Sequence, residues 1–281
     1  MSEGILMPTL RTTDRTDLFY RDWGTGAPVV FLAGWALSGD MWQYQMLAAA
    51  ERGFRAVCYD RRGHGRSDDP GRGYDFDTLA DDLAALLEHL DLANVTVISH
   101  SMGGGEVVRY LSRHGSARVA GVALVGSTMP RLLRSDDNPD GIDPALTDLL
   151  RDSMKKDLPQ WGVENIGPYV GVDVPGCDVS VASQEWTQRD GLRVSLQAAM
   201  DCYRANLEAD FRAELVSITV PTLVVQGTHD VSAPPELCGQ RIAALVPGSR
   251  LAVYPNAPHA IYLTHQDQLT EELLDFAAKK V

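Results

Sequence analysis

Val95-Thr96-Val97-Ile98-Ser99-His100-Ser101-Met102-Gly103-Gly104-Gly105 sets an apolar, β-branched run against a serine and three glycines, and a helical pattern follows it. The run reads as a buried strand, residues 102–114 as a helix, and Ser101 as the residue at the sharp turn between them. Small residues stand two positions to either side of that serine, at Ser99 and Gly103. A turn that exposes a serine hydroxyl above a sheet packs its own backbone so tightly that only small neighbours fit. The match is to small-x-Ser-x-Gly, because Ser99 keeps the volume small but adds a polar atom where glycine is usual. This is the sequence context of a nucleophile elbow.

Working outward, short apolar runs at 29–32, 54–59, 95–98, 119–125, 222–225 and 251–254 read as strands. Between them, residues 40–51, 78–90, 102–114, 236–245 and 266–278 repeat apolar side chains at three and four positions, as amphipathic helices do. Strand and helix in alternation predict an α/β fold with a mostly parallel central sheet and helices on both faces. Residues 130–211 break the rhythm, where Pro130, Pro139, Pro144, Pro159, Pro168 and Pro175 divide helical pieces such as 145–156 and 194–207. The predicted organisation is therefore a core of residues 1–129 and 212–281 interrupted by a helical lid at 130–211. No internal repeat or low-complexity tract marks a linker.

A serine hydroxyl is a weak nucleophile at neutral pH and needs an imidazole base held by a carboxylate. Downstream of Ser101 the loops after two strands supply them, in Gln226-Gly227-Thr228-His229-Asp230 and Asn256-Ala257-Pro258-His259. The carboxyl ends of parallel strands are where such sheets bind ligands. Asp230 is assigned as the orienting acid and His259 as the base. The competing position after 119–125 holds Gly126-Ser127-Thr128-Met129 and no carboxylate. Two backbone donors for a developing oxyanion are expected at Met102, next to the nucleophile, and at Trp35, in the glycine turn Ala33-Gly34-Trp35-Ala36.

The 281 residues carry 25 Lys and Arg against 38 Asp and Glu, a net charge of −13. Such a surface repels nucleic acid and anionic lipid, and no basic run is longer than a pair such as Arg61-Arg62, which stands near a turn. The first residues lack the basic start and apolar run of a secretory leader, and no stretch is long and apolar enough for a membrane span. Cys58, Cys177, Cys202 and Cys238 are scattered without a paired spacing, and no histidine pattern suggests metal ligation. A cytoplasmic protein with reduced thiols, no cofactor, and neither nucleic acid nor membrane as partner is expected. Its oligomeric state is left open.

These residues resemble the α/β-hydrolase superfamily, and within it the cofactor-free haloperoxidase, perhydrolase and arylesterase group. The resemblance is carried by Gly34-Trp-Ala-Leu-Ser-Gly-Asp-Met-Trp42, Tyr59-Asp-Arg-Arg-Gly-His-Gly-Arg-Ser67, Ser101-Met-Gly-Gly-Gly-Glu-Val-Val-Arg-Tyr110, Asp136-Asp-Asn-Pro-Asp-Gly141, Asp210-Phe-Arg212 and Ala257-Pro-His259. It implies metal-free cleavage of small esters, lactones or amides through an acyl-enzyme at Ser101. It also implies that hydrogen peroxide can attack the same intermediate to give a peracid, which oxidises halide in solution. A low-turnover binder of small molecules on the same fold is the alternative of a different class. Two departures stand out. Ala33 replaces a histidine that braces the oxyanion loop in the group, and Ala36 replaces a proline frequent in strong perhydrolases, which favours hydrolysis.

The remaining histidines, His64, His89, His100, His114, His229 and His265, are read as structural or surface groups, with His100 packing beside the elbow. Gly63-x-Gly65 lacks the rest of a phosphate-loop signature and is read as a turn. The adjacent carboxylates Asp81-Asp82 and Asp136-Asp137 are expected to be solvated. Ala36, Trp161 and Trp186 are the expected pocket residues, with Tyr203 a further candidate.

Overall fold

The computed structural model describes residues 7–279, so residues 1–6, read above for a leader, lie outside the described residues. Six strands, β3 (Pro28–Leu32), β4 (Arg55–Tyr59), β5 (Val95–His100), β6 (Val119–Val125), β7 (Thr222–Gly227) and β8 (Arg250–Tyr254), pair in parallel where the apolar runs place them. Two more, β1 (Thr9–Arg11) and β2 (Asp17–Trp23), add an antiparallel edge that the sequence pattern did not indicate. The eight lie in the order β1-β2-β4-β3-β5-β6-β7-β8.

The pleat sends alternate side chains of each strand to opposite faces. Along β3, Val29 and Phe31 join the core beneath α1 (Gln43–Glu51) and α11 (Gln266–Ala278). Val30 and Leu32 join the core beneath α2 (Phe76–His89) and α3 (Gly103–His114). Both faces of the sheet are thus covered, and central strands read as continuous apolar runs for that reason. Helix α2 starts earlier than the apolar stripe suggested, because Asp75 accepts the Thr78 amide at 3.0 Å and caps it. The expected helix over 40–51 is a 3-10 turn at Gly39–Trp42 followed by α1.

Between β6 and β7 the chain forms α4 (Pro144–Lys156), α5 (Leu158–Val170), α6 (Val181–Gly191), α7 (Leu196–Glu208) and the short α8 (Arg212–Leu215). Pro144 and Pro159 open helices rather than divide them, since the first turn has no use for their missing N–H. Pro168 lies inside α5. The two ends of this segment meet: the Phe211 amide donates to the Pro130 carbonyl at 2.9 Å, and Arg131 and Arg212 both bind Asp137 and Asp210. A short helix, α9 (Gly239–Leu245), precedes β8, and α10 (Ile261–Thr264) precedes α11. Among the described residues no helix is long and apolar enough to cross a membrane.

One expectation about charge is corrected. Asp82 is not solvated: it is 2% exposed and accepts two 2.7 Å bonds from the equally buried Arg62. A guanidinium fork and a carboxylate satisfy one another bidentately, which makes burial of both tolerable. Asp81 stays at the surface with Arg113 and His114.

Candidate active site

Ser101 leaves the end of β5 with a φ of 53°, in the left-handed region that a serine adopts only where its surroundings impose it. Its amide donates to the Val125 carbonyl at 2.9 Å, so neighbouring β6 fixes the turn. The glycines after it meet a crowded wall. A Cβ at Gly104 would stand 2.4 Å from Ser127 Oγ, and one at Gly105 2.5 Å from the Phe76 ring. Ser99 is fully buried, and its added hydroxyl donates to the Ala123 carbonyl at 3.3 Å, which accounts for its tolerance in place of glycine.

Asp230 follows β7 and His259 follows β8, and both are buried. His259 Nδ1 lies 2.9 and 2.8 Å from the two carboxylate oxygens, one of which also accepts the Ser232 and Ala233 amides. A carboxylate can only accept, so Nδ1 carries the proton and Nε2 is the basic nitrogen. Ser101 and His259 line the same cavity, of about 690 Å³. No hydrogen bond joins them among the described residues; such contacts are commonly long until substrate is bound. A hydroxyl, a basic imidazole nitrogen and an orienting carboxylate in this order can generate an alkoxide nucleophile.

Trp35 and Ala36 lie on the cavity wall, whereas Met102 is fully buried, leaving only its amide to serve. Among the described residues neither the Trp35 nor the Met102 amide has an acceptor within the protein. The Trp35 loop is braced from below. Arg61 donates to the Ala33 and Gly34 carbonyls at 2.8 and 3.1 Å and through Nε to Glu106 at 2.7 Å, and both side chains are almost wholly buried. Sequence reasoning missed this brace. A glutamate among the small and apolar residues of an inward helix face was the available signal. Burial pushes the Glu106 carboxyl up, and Arg61 opposes that shift. Ala36 has a φ of 62°, which the ring of proline cannot adopt, so the loop in this conformation excludes proline at this position.

The cavity wall is aromatic. Trp35 donates its indole N–H to the Ala199 carbonyl at 2.8 Å and meets Trp161 and Tyr203 edge-on at 5.6 and 6.1 Å. Trp161 and Tyr203 line the cavity, but Trp186 does not: α6 presents Glu185, Thr187, Gln188 and Arg189 to it and leaves Trp186 half-buried elsewhere. Arg189 is the only Lys or Arg among the lining residues, and its side chain is 78% exposed beside Glu185. Among the described residues no group of three or more His, Cys, Asp or Glu could hold a metal ion.

Burial next to Arg61 holds His64 down to about 3, so it folds neutral. A folded value below the unfolded one, about 6.5, means stability that is complete above pH 6.5 and lost as pH falls toward 3. The gap in unfolding free energy between wild type and His64→Asn, read by urea titration, is therefore expected to shrink by ~2 kcal/mol from about pH 6.5 to 4.5. A constant gap would contradict a buried neutral His64.

The parallel sheet, the strained serine after β5 and the acid and imidazole after β7 and β8 define the α/β-hydrolase class. The chain belongs to the alpha/beta hydrolase fold family, whose model matches residues 27–266. It is 38% identical over 271 residues to a non-heme haloperoxidase of Rhodococcus erythropolis, covering 96% of this chain and 99% of that one. It is 38% identical over 275 residues to a bifunctional esterase/perhydrolase of Acinetobacter calcoaceticus, covering 96% and 99%. An esterase from Exiguobacterium antarcticum superposes with a TM-score of 0.92 at 30% identity, covering 97% of this chain and all of the other.

Proposed function

We propose that the protein is a serine esterase acting on neutral carboxylic esters, with lactones and amides as related substrates. Ser101 Oγ attacks the carbonyl carbon while His259 Nε2 takes its proton. The Trp35 and Met102 amides hold the oxyanion. The intermediate collapses to an acyl-enzyme, the leaving alcohol takes the proton from His259, and water then attacks with the same base to release the acid. Helices α4–α7, within the 130–211 segment, act as the lid that shapes the acyl and alcohol sites.

The observation that carries the proposal is the strained Ser101 lining one cavity with a His259 whose Nδ1 is bound by Asp230. Neutral esters are favoured over esters that bear a carboxylate because, among the described residues, that carboxylate would find no Lys or Arg in the cavity except the exposed, Glu185-paired Arg189. The test is labelling with a fluorophosphonate and mass-spectrometric mapping. Selective modification of Ser101 that disappears in His259→Ala is expected; no modification of folded wild type would refute the assignment.

A second reaction is supported by the relative named as a bifunctional esterase/perhydrolase. Attack of hydrogen peroxide instead of water on the acyl-enzyme releases a peracid. Bromination of monochlorodimedone with acetate and peroxide is its assay, and the left-handed Ala36 points to a weak signal beside ester hydrolysis.

A further inference from the structure

His100 ends β5 one residue before Ser101, and its ring is wedged between the loops that carry the other parts of the site. Its Nε2 lies 2.9 Å from the carbonyl oxygen of His259. A carbonyl only accepts, so Nε2 carries the proton and Nδ1 is a bare lone pair. That lone pair is buried and, among the described residues, has no hydrogen-bond partner. The ring centroid stands 4.5 Å from that of His259 and 5.5 Å from that of Tyr262. Trp42 meets the ring edge-on at 6.4 Å, a Cβ at Gly34 would come within 2.7 Å of His100 Nδ1, and His100 also borders the cavity. The base loop has a second anchor, the Ala260 amide donating to the Tyr169 carbonyl at 2.9 Å, but only His100 reaches the His259 carbonyl in the described structure.

As a packing group alone, phenylalanine would fill a similar space without bringing a ring nitrogen that is buried without a donor, as His100 Nδ1 is. What histidine adds is the Nε2–H. We propose that His100 is a positioning residue for the base: a permanently neutral imidazole whose Nε2–H fixes the His259 backbone while its unprotonated edge seats Gly34 of the oxyanion loop. Neutrality matters because His259 becomes an imidazolium during the reaction, and a second cation 4.5 Å away would oppose it. Burial and the neighbouring His259 hold His100 well below its ordinary pKa, in keeping with that role. The groups around the pair are Asp230, bound to His259, and the phenols Tyr169 and Tyr262, which burial keeps protonated. The proposal rests on Ser101, His259 and Asp230 as the hydrolytic centre.

Two variants and two readouts test it. His100→Phe keeps a ring and removes the donor; His100→Gln keeps a donor and removes the ring. Long-range proton–nitrogen spectra of 15N-histidine protein should show wild-type His100 protonated at Nε2 and not titrating over about pH 5–8. The His259 Nδ1–H resonance should shift in His100→Phe and return toward its wild-type position in His100→Gln. On a p-nitrophenyl ester, His100→Phe is expected to lose 10- to 100-fold in kcat with KM within about twofold, with partial recovery in His100→Gln. An Nδ1–H tautomer, a titrating His100, an unchanged kcat in His100→Phe, or equal losses in both folded variants would overturn the proposal. If wild type neither reacts with fluorophosphonate nor cleaves esters while the spectra behave as stated, the esterase assignment falls and the His100–His259 coupling stands.

Discussion

Ser101→Ala is expected to lower ester turnover by about 10⁴- to 10⁶-fold while leaving the fold intact. The nucleophile is lost, and what survives is the acceleration that binding and the oxyanion donors supply to a water molecule. Alanine inherits the 53° φ without adding bulk, so the melting temperature should stay within a few degrees. Asp230→Asn is expected to cost about 10⁴-fold, since an amide favours the wrong tautomer of His259, whose Nδ1 now donates at 2.8 Å. Steady-state kinetics with a chromogenic ester decide both. A loss under about tenfold for Ser101→Ala would sink the mechanism.

Arg61→Met should be the most damaging change away from the reacting atoms. It leaves the fully buried Glu106 carboxylate without its cation and frees the Ala33 and Gly34 carbonyls. Stranding one member of a buried pair costs about 3–5 kcal/mol. For a chain of this size that is a fall of roughly 6–20 °C in melting temperature. Adding Glu106→Gln removes the stranded charge and should recover part of that stability. It cannot restore the loop, so kcat should remain depressed in the double variant. Recovery of stability and kcat together would show that Arg61 matters only through its charge.

This brace holds the loop at which Ala33 departs from the resembled group. The sequence shows a missing side chain at that position, and the structure shows that the carbonyls of Ala33 and Gly34 are held from the other side by a residue 45 positions from its own partner Glu106. No local pattern announces a pairing over that separation. The parallel strands, by contrast, were legible because burial on both faces forces continuous apolar runs, and the placement of Asp230 and His259 on the loops after two of them was legible for the same reason. Strands β1 and β2 escaped notice because one has three residues and the other, Asp17–Trp23, mixes charged and apolar residues along the sheet's antiparallel edge. Helix α5 carries Gly162, Gly167 and Pro168, a composition that tertiary packing and not propensity makes helical. Trp186 lies off the cavity; an aromatic residue in the 130–211 segment says nothing of which helix face meets the cavity.

The clasp formed by Pro130, Arg131, Asp137, Asp210, Phe211 and Arg212 brings the segment's departure and return to one point of the core. Closing a loop costs little more when the loop is lengthened, so what lies beyond the clasp is only weakly constrained in size. The helices beyond it are expected to tolerate replacement as a unit. A lineage, or an engineer, can replace them to fit another acyl group while Ser101, His259 and Asp230 keep their places, provided the new segment still offers Trp35 an acceptor where Ala199 now stands and Ser38 a carboxylate where Asp190 does.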